Sequence, residues 1–250
     1  ARRGVVVFNS PGANSNAVKE LVLAMMILSS RGVVQSMNWV RANADDPNIL
    51  ADAEKAKKAF VGRELKGKRV GVVGLGNVGS KVANALVDLG MDVYDPFISV
   101  EHAWALSQNV QRVGTLEDLC RGCDYLTLHV PSKADTKGMI STEQLALLAP
   151  GAVLINYARE TIIDEDAVHA ALESGKLSWF AGDFATPKTV LMPNTYITTH
   201  SGAGTGEAEA NCADMAISEL KDYLENGNIA NSVNYPACNM GKARAASRIA

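Results

Sequence analysis

A glycine-rich turn between an apolar strand and a helix constrains this sequence more than any other feature. The stretch Lys68–Gly90 reads KRVGVVGLGNVGSKVANALVDLG, with a β-branched run before the turn and apolar residues at helical spacing after it. Gly74 permits the tight turn, Gly76 lets a pyrophosphate approach the backbone, and Gly79 lets the helix pack on the strand. The amino end of the helix would offer N–H groups and a positive dipole end to phosphate.

An acidic residue follows at the end of the next predicted strand. Asp95 closes the sequence MDVYD and lies 19 positions after Gly76. A carboxylate about 20 residues on is expected to bind the ribose hydroxyls of a dinucleotide. Strand, helix and acid together predict a dinucleotide site, and glycines that serve packing alone are the weaker alternative. A carboxylate would repel a 2′-phosphate, so NAD is favoured over NADP.

Composition excludes several classes of protein. The chain has 250 residues, 47% of them hydrophobic, which is enough for one large α/β domain or a domain and part of another. A net charge of −3 gives no basic surface of the kind that binds nucleic acid. The longest apolar run, Leu21–Leu28, is far shorter than the ~20 residues that cross a bilayer. We therefore expect a cytoplasmic protein with neither a nucleic-acid nor a membrane partner.

Two cysteines form a CxxC pair without a second pair elsewhere. Cys120 and Cys123 lie at the end of a short predicted helix, just before an apolar strand. Buried thiols are the favoured interpretation, and redox or metal chemistry is the alternative. No metal site is predicted. His129 ends a predicted strand, where we expect it to pack rather than react.

Most of the chain alternates between predicted strands and helices. Besides the strand before the glycine turn and the strand that ends at Asp95, the predicted strands are Gly4–Phe8, Val110–Val113, Tyr125–Val130, Ala152–Asn156, Trp179–Gly182 and Tyr196–Thr198. The other predicted helices include Ala51–Ala59, Ala103–Leu106, Leu116–Gly122, Ser141–Leu148, Asp164–Leu172 and Gly206–Leu224. This alternation predicts an α/β fold, a Rossmann-type doubly wound parallel sheet whose ligands bind at the carboxyl ends of the strands.

The amino-terminal part of the chain is expected to contact another lobe or subunit. A predicted helix, Ala17–Leu28, is apolar on all faces through its middle, which is typical of a helix buried on every side. It favours a homodimer or a dimer of dimers. The polar segment Asn38–Phe60 is predicted to be an arm that runs over a surface.

Two side chains near strand ends are candidates for chemistry. Arg159 follows the strand Ala152–Asn156, where a guanidinium could hold a carboxylate through two parallel N–H bonds. Pairing with Glu160 or Asp164 on the surface is an equally good interpretation from the residues alone. His200 precedes a glycine-rich loop and could take a proton near neutral pH, although a structural histidine is the slightly better interpretation.

Several motifs in a fixed order then make the chain recognisable from Gly4 to about Pro236. They resemble the D-isomer-specific 2-hydroxyacid dehydrogenases, and most closely the branch of that family that oxidises 3-phosphoglycerate. The motifs are FNSPGANSNAVKELV (Phe8–Val22), the glycine turn, DYLTLHVPSKADTKGMI (Asp124–Ile140), INYARE (Ile155–Glu160), the His200 loop and YLENGNIANSVNYP (Tyr223–Pro236).

The resemblance implies an activity and a set of site residues. An enzyme of this kind transfers the C2 hydride of a 2-hydroxy acid to NAD, with His200 as general base and Arg159 on the carboxylate. The implied substrate is a phosphorylated hydroxy acid, 3-phosphoglycerate, oxidised to 3-phosphohydroxypyruvate in the first step of serine biosynthesis. The implied cofactor residues are Gly74, Gly76, Asn77, Val78 and Gly79 around the pyrophosphate, Asp95 on the ribose, and Val130, Pro131, Tyr157, Ala158, Asp183 and Gly202 along the rest of the cleft, with Asp183 near the nicotinamide amide and Asn14 on the substrate side.

The chain also departs from the family pattern. Thr186 stands where the family carries a glutamate that supports the catalytic histidine. The resemblance implies an NAD-binding domain over residues 1–202, a helix returning to a substrate lobe over 203–236, and a linker over 237–250, with remnants of that second lobe at both ends. A first lobe would precede Gly4, and without it we expect NAD binding with little turnover. Glyoxylate or hydroxypyruvate reduction, and an NAD-sensing binding module of the co-repressor type, remain alternatives.

Overall fold

The computed structural model of this chain describes residues 3–95, 106–107 and 109–242. The chain divides into a larger unit, Val18–Gly202, and a smaller one built from Ala1–Ala17 and Ala203–Ala250. The predicted helix Ala103–Leu106 falls outside the described residues except at its last position, and residues 243–250 of the expected linker also lie outside them.

A parallel sheet of seven strands forms the centre of the larger unit, which confirms the predicted α/β doubly wound fold. The strand order is β3-β2-β1-β4-β5-β6-β7. The first strand, β1, therefore lies inside the sheet, and the later strands extend the sheet on both sides of it. Every pairing within it is parallel. The strands are β1 (Arg69–Val73), β2 (Asp92–Asp95), β3 (Val110–Arg112), β4 (Tyr125–Leu128), β5 (Ala152–Asn156), β6 (Leu177–Gly182) and β7 (Thr195–Ile197).

Helices connect the strands and also precede the sheet. Over the described residues the α-helices are α1 (Ser15–Ser30), α2 (Val33–Ala42), α3 (Ile49–Ala56), α4 (Gly79–Asp88), α5 (Leu116–Cys120), α6 (Thr142–Leu147), α7 (Glu165–Glu173) and α8 (Gly206–Asn226). Short 3₁₀ turns cover Lys57–Phe60, Glu160–Ile162 and Thr189–Leu191. Local sequence fixes several of the helix starts. Thr115 accepts a hydrogen bond from the Asp118 amide at the start of α5, and Ser141 with Gln144 forms a capping box before α6.

The main core lies between the sheet and the layer of helices α5, α6 and α7. Strands β4 and β5 are buried along their whole length, as expected for the centre of a parallel sheet. The helices contribute apolar residues at helical spacing, such as Ala167, Val168, Ala171 and Leu172 of α7. This burial is the dominant favourable contribution to folding, and it places the carboxyl ends of the strands at one edge of a rigid sheet.

Helix α1 packs one of its sides within the larger unit. Val22 and Met26 are fully buried, and the Ser30 hydroxyl lies 2.6 Å from the hydroxyl of Tyr125 on β4. Leu23 is half-buried, and Ile27 is 47% exposed. The chain by itself therefore covers only part of this apolar helix, and its burial between subunits stays a prediction.

The segment predicted as a polar arm contains more helix than expected. Its first part belongs to α2, which the sequence did not predict, and its second part to α3, which begins two residues before the predicted helix at Ala51. No residue of α2 or α3 is buried. Both helices therefore lie on the surface of the chain, as an arm would.

The smaller unit shows that one strand prediction was wrong. Gly4–Phe8 forms no regular strand, and Val5 is 62% exposed. The segment makes a single antiparallel bridge from Phe8 to Ser232, and the Asn234 side chain bonds the backbone of Val5 and Val7. Its apolar run reflects a one-sided contact, in which Phe8 packs on Tyr223 of α8 with ring centroids 5.6 Å apart.

Candidate active site

The glycine turn between β1 and α4 has the geometry that the sequence predicted. Gly74 has φ +96°, a conformation that residues with a Cβ rarely adopt. A Cβ on Gly79 would lie 1.9 Å from the Gly74 carbonyl oxygen, so the start of α4 can approach the turn only without a side chain. A Cβ on Gly76 would meet nothing within 4 Å, so the space in front of the turn is open.

The amino end of α4 faces this open space. Val78 is its N-cap residue, and the Val78 side chain makes no capping hydrogen bond. The Ser80 hydroxyl donates to the Gly76 carbonyl at 2.8 Å, which fixes the turn from behind. Asn77 lies between these residues, so the stretch from Gly76 to Gly79 forms a backbone cradle at the positive end of a helix dipole.

Asp95 ends β2 next to this cradle. Gly71 of β1 is in register with Tyr94, so Asp95 lies beside the carboxyl end of β1 and opposite Arg112 of β3. A ribose-binding residue is expected at the end of this strand, and that role for Asp95 stays a prediction.

The loop after β4 forms another wall at the same edge. Val130 is half-buried, and its Cγ1 would lie 2.7 Å from a Cβ placed on Gly74, so this loop touches the glycine turn. The Thr136 hydroxyl donates to the Pro131 carbonyl and accepts from the Lys133 amide at 2.8 Å, which closes the loop on itself.

The turn that carries Arg159 is held by the side chain of Asn156. This amide is buried at the end of β5, donates to the Arg159 carbonyl at 2.8 Å and accepts from the Ala158 amide at 3.2 Å. The Arg159 side chain is exposed, and its Nη1 donates to the Ala158 carbonyl at 2.6 Å. Among the described residues no ion pair joins Arg159 to Glu160 or Asp164, so the surface-pair alternative finds no support.

Tyr157 belongs to the same turn and is buried. Its hydroxyl lies 3.1 Å from the Thr198 hydroxyl, two residues before His200. Burial raises the pKa of Tyr157 to about 12, so the phenol stays neutral at physiological pH. The turn after β5 and the loop after β7 are therefore joined by a neutral hydrogen bond.

His200 has a backbone conformation that is unusual for a residue with a side chain. Its φ is +59°, in the left-handed region, and its amide donates to the Asp183 carbonyl at 2.8 Å. The imidazole is exposed and packs at a tilt on the Phe184 ring, with centroids 4.8 Å apart. In the described part of the chain no carboxylate is hydrogen-bonded to this imidazole.

Thr186 does not take over the place of the family's glutamate next to the histidine. Its hydroxyl donates to Glu165 at 2.9 Å, and its amide donates to the Thr189 hydroxyl at 2.8 Å. These bonds attach the loop after β6 to the start of α7. Thr186 is thus a structural residue of the loop that carries Phe184.

Asp183 is almost completely buried at the end of β6, with 2% of its surface exposed. Its carboxylate accepts hydrogen bonds from the Thr198 hydroxyl and from the backbone amides of Ser201 and Gly202. Sequence reasoning placed Asp183 and Gly202 in the cofactor cleft but missed Thr198 and Ser201. A short polar run before a glycine is too common a pattern to have indicated them.

The remaining candidates behave as the sequence suggested. Burial lowers the pKa of His129 to about 3, and its ring pairs with the Thr127 hydroxyl, so it is a neutral packing residue. Burial raises the pKa of the Cys120 thiol to about 12 and that of Cys123 to about 11, which makes both unreactive near neutral pH.

The described ranges contain neither a cluster of metal-binding side chains nor a helix that could span a membrane. No group of three histidine, cysteine or acidic side chains there could hold a metal ion. No helix in the same ranges is both long and apolar enough to cross a membrane.

Asn14 is half-buried in the turn before α1 and belongs to the smaller unit, and its place on the substrate side stays a prediction.

Comparison with known proteins gives a consistent family. Residues 23–202 match the family model described as "D-isomer specific 2-hydroxyacid dehydrogenase, NAD binding domain". D-3-phosphoglycerate dehydrogenase of Haemophilus influenzae is 34% identical over 258 residues, which cover 99% of this chain and 60% of that protein. The enzyme of the same name from Methanocaldococcus jannaschii is 33% identical over 253 residues, which cover 97% of this chain and 46% of that protein. The chain therefore spans about half the length of the curated relatives that it matches.

Solved structures agree with this result. The holo form of D-mandelate dehydrogenase from Rhodotorula graminis superposes with a TM-score of 0.79 at 27% identity, covering 94% of this chain and 70% of that one. The sheet order, the glycine turn and the matched residues lead to one conclusion. The chain belongs to the D-isomer specific 2-hydroxyacid dehydrogenase family and contains its NAD-binding domain.

Proposed function

We propose that the protein containing this chain uses NAD to oxidise a D-2-hydroxy acid, with 3-phosphoglycerate as its substrate. The names of the relatives that share about a third of the sequence support the choice of substrate. The reaction class is supported by the placement of the two candidate catalytic residues, His200 and Arg159, relative to the cofactor cradle.

The observation that carries this proposal is the register of the last three strands. Asn156 of β5 pairs with Gly182 of β6, and Gly182 pairs with Ile197 of β7. Arg159 and His200 each follow this line by three residues, so they leave the same edge of the sheet at the same level. The Tyr157–Thr198 hydrogen bond then ties their two loops together.

The chain's residues fit NAD. The open cradle at Gly76 and the amino end of α4 suit a pyrophosphate, and Asp95 at the end of β2 suits the ribose hydroxyls. Val130, Pro131, Tyr157, Ala158, Asp183 and Gly202 would line the remainder of the cleft at the same edge of the sheet. Bound NAD would supply a hydride acceptor at its nicotinamide.

Each catalytic side chain has a defined task in this proposal. The exposed Arg159 guanidinium holds the substrate carboxylate through two parallel hydrogen bonds. This contact orients the C2–H bond of the substrate. The exposed His200 imidazole takes the proton of the C2 hydroxyl as the hydride leaves, and in the reverse direction it returns that proton to the keto oxygen.

The test is turnover by the full-length protein with NAD and a panel of hydroxy acids. We expect oxidation of 3-phosphoglycerate, with His200→Gln folding normally, binding NAD and losing turnover. Reduction of glyoxylate and hydroxypyruvate without activity on 3-phosphoglycerate would replace the substrate assignment. NAD binding with no turnover on any member of the panel would overturn the proposal in favour of an NAD-sensing module.

A further inference from the structure

We propose that Asp183 is a positioning residue that holds the His200 loop in its reactive conformation. This inference rests on the proposed function of His200 as the base. It assigns to the Asp183 carboxylate a task within the protein, besides its place in the cofactor cleft.

The His200 loop needs such a residue because its backbone is held in a disfavoured region. At φ +59° the Cβ of a non-glycine residue crowds its own backbone, and the conformation persists only where surrounding bonds impose it. The residues after it, Ser201, Gly202 and Ala203, form no helix or strand that could impose it. The imposing contacts must come from elsewhere in the fold.

Asp183 supplies these contacts with its backbone carbonyl and with its side-chain carboxylate. Its carbonyl oxygen accepts from the His200 amide at 2.8 Å. One carboxylate oxygen accepts from the Ser201 amide at 2.7 Å and from the Thr198 hydroxyl, and the other accepts from the Gly202 amide at 2.8 Å. A single buried residue thus bonds the chain on both sides of His200 and at His200 itself.

The need for an ionised carboxylate follows from the donors around it. Three donors point at its two oxygens, and an ionised carboxylate only accepts hydrogen bonds. The isosteric amide of Asp183→Asn would turn an NH₂ group toward at least one of these donors. Donor would then face donor in a buried place, and the loop would have to move.

Gly202 is shaped to this carboxylate. A Cβ on Gly202 would lie 2.8 Å from Asp183 Oδ2 and 3.3 Å from Cδ1 of Tyr157. Since its φ is not in the left-handed region, the glycine is required by this close approach and not by its backbone angles. Gly202→Ala therefore disturbs the same contact from the opposite side while leaving the charge in place.

The hydrogen bonds of Asp183 continue through Thr198 to the turn that carries Arg159. Thr198 bonds Asp183 and also lies 3.1 Å from the hydroxyl of Tyr157, whose turn carries Arg159. Asp183 thereby sets the His200 loop relative to the Arg159 turn. A shift of this loop changes the distance between the base and the held substrate without altering the glycine cradle.

Amide hydrogen exchange in the full-length protein tests this inference without any need for turnover. In Asp183→Asn the amides of Ser201 and Gly202 are expected to exchange at least about tenfold faster than in the parent, while amides of β4 and β5 keep their rates. Gly202→Ala should speed exchange at Ser201 in the same way. Asp166→Asn, the same chemical change at an exposed carboxylate paired with Lys188, should leave every rate as in the parent.

Kinetics provide the second measurement. We expect kcat to fall by about 10- to 100-fold in Asp183→Asn and Gly202→Ala, because an ångström-scale misplacement of the base is enough for such a loss. The fall in kcat should exceed any rise in the Kd for NAD by at least about tenfold in both variants, since the glycine cradle is untouched. The double variant should be little worse than either single one, because both disturb a single contact.

The outcomes separate this inference from the proposed function. Parent-like exchange at Ser201 and Gly202 in both variants would overturn the positioning role, whatever the kinetics show. A rise in the Kd for NAD that accounts for the whole loss of activity would overturn it in favour of a direct cofactor contact. If Asp183→Asn does not fold, Gly202→Ala decides alone by the same two criteria. A parent protein without turnover would refute the proposed function and leave the exchange result standing.

Discussion

Arg159 and His200 are both exposed, and the residues that position them are buried. The Asn156 amide fixes the turn before Arg159, and the Asp183 carboxylate fixes the loop after His200. Neither support bonds the reactive head group itself, so the guanidinium and the imidazole remain available to a ligand. In the proposed function, exposed loop side chains thus gain their precision from buried polar groups at the strand ends.

Replacing Arg159 tests its role as a carboxylate clamp. In the full-length protein, Arg159→Ala is expected to raise KM for the hydroxy acid and to lower kcat, with the Kd for NAD nearly unchanged. Hydrogen bonds to charged groups contribute about 1.5–3 kcal/mol each, so kcat/KM should fall by at least about tenfold. Steady-state kinetics and NAD calorimetry measure the two effects separately.

Two further variants make this test specific. Arg159→Lys keeps the charge but not the two parallel donors and should recover only part of kcat/KM. Arg121→Ala removes an exposed arginine at the end of α5 and should behave like the parent. An equal loss of NAD and substrate affinity in Arg159→Ala would identify Arg159 as a structural residue.

Asp95 is expected to set the preference for NAD over NADP. Asp95→Ala should weaken the binding of NAD by about tenfold, which corresponds to the loss of about one hydrogen bond to a charged group. It should weaken the binding of NADP much less, because the carboxylate repels a 2′-phosphate. Calorimetric titration of both nucleotides gives the two affinities. Asp92→Ala, at the exposed start of the same strand, is the control, and equal affinities of the parent for NAD and NADP would contradict the assignment.

The strand ends at which Arg159, His200 and Asp183 lie could be predicted from the apolar runs before them. Their roles were expected only from the resemblance to a known family and stay predictions. The φ of His200 could not be predicted, since it depends on hydrogen bonds to Asp183, 17 positions earlier in the chain. Thr186 illustrates the same limit, because its partner Glu165 lies on another element.

Among the elements, β1 and α4 approach each other too closely to admit a side chain at Gly79. Gly79 is the first residue of α4. A Cβ added to it would lie 1.9 Å from the Gly74 carbonyl oxygen, so there is no room for a methyl group between the turn after β1 and the helix. This contact fixes the direction of α4 relative to the sheet. The direction of α4 in turn determines where its amino-terminal N–H groups lie within the cradle.

Gly79→Ala should therefore both destabilise the fold and weaken NAD. Overpacking a tight contact costs about 1–3 kcal/mol, and we expect a loss of this size in the free energy of unfolding by denaturant. NAD calorimetry should show a raised Kd, since the end of the helix must move. Gly206→Ala is a matched control at the first residue of α8, where the added Cβ meets nothing, and it should be neutral or slightly stabilising. Parent-like NAD binding by Gly79→Ala would show that the close approach does not shape the cradle.

Elements with strong local signals were predicted well, and elements defined by distant partners were not. The strand Ala152–Asn156 has the predicted bounds because its apolar run ends at a turn. Helix α2 was missed because Gly32 gives no cap hydrogen bond and no residue of the helix is buried. Gly4–Phe8 was predicted as a buried strand because its valines suit one, but the paired segment around Ser232 covers only part of it.

At the scale of the whole molecule, both units expose apolar helical surface. In the smaller unit Leu224 of α8 is 73% exposed, and in the larger unit Ile27, Met37 and Val40 are each about half exposed. Scattered apolar residues are normal on a surface. Helix α1 is apolar on all faces through its middle, however, and we propose that its exposed side and the exposed apolar residues of α2 form a contact between two copies of the chain.

The full-length protein is therefore expected to sediment as a dimer or a larger even assembly at micromolar concentration. Ile27→Asp should shift it toward the monomer, because a buried, unpaired carboxylate would oppose association at a closed two-fold interface. Leu224→Asp makes the same change on the exposed side of α8 and should leave the assembly as it is. Analytical ultracentrifugation with circular dichroism separates dissociation from unfolding. A monomeric parent, or a folded Ile27→Asp variant with the parent's mass, would show that α1 is covered by something other than a second copy.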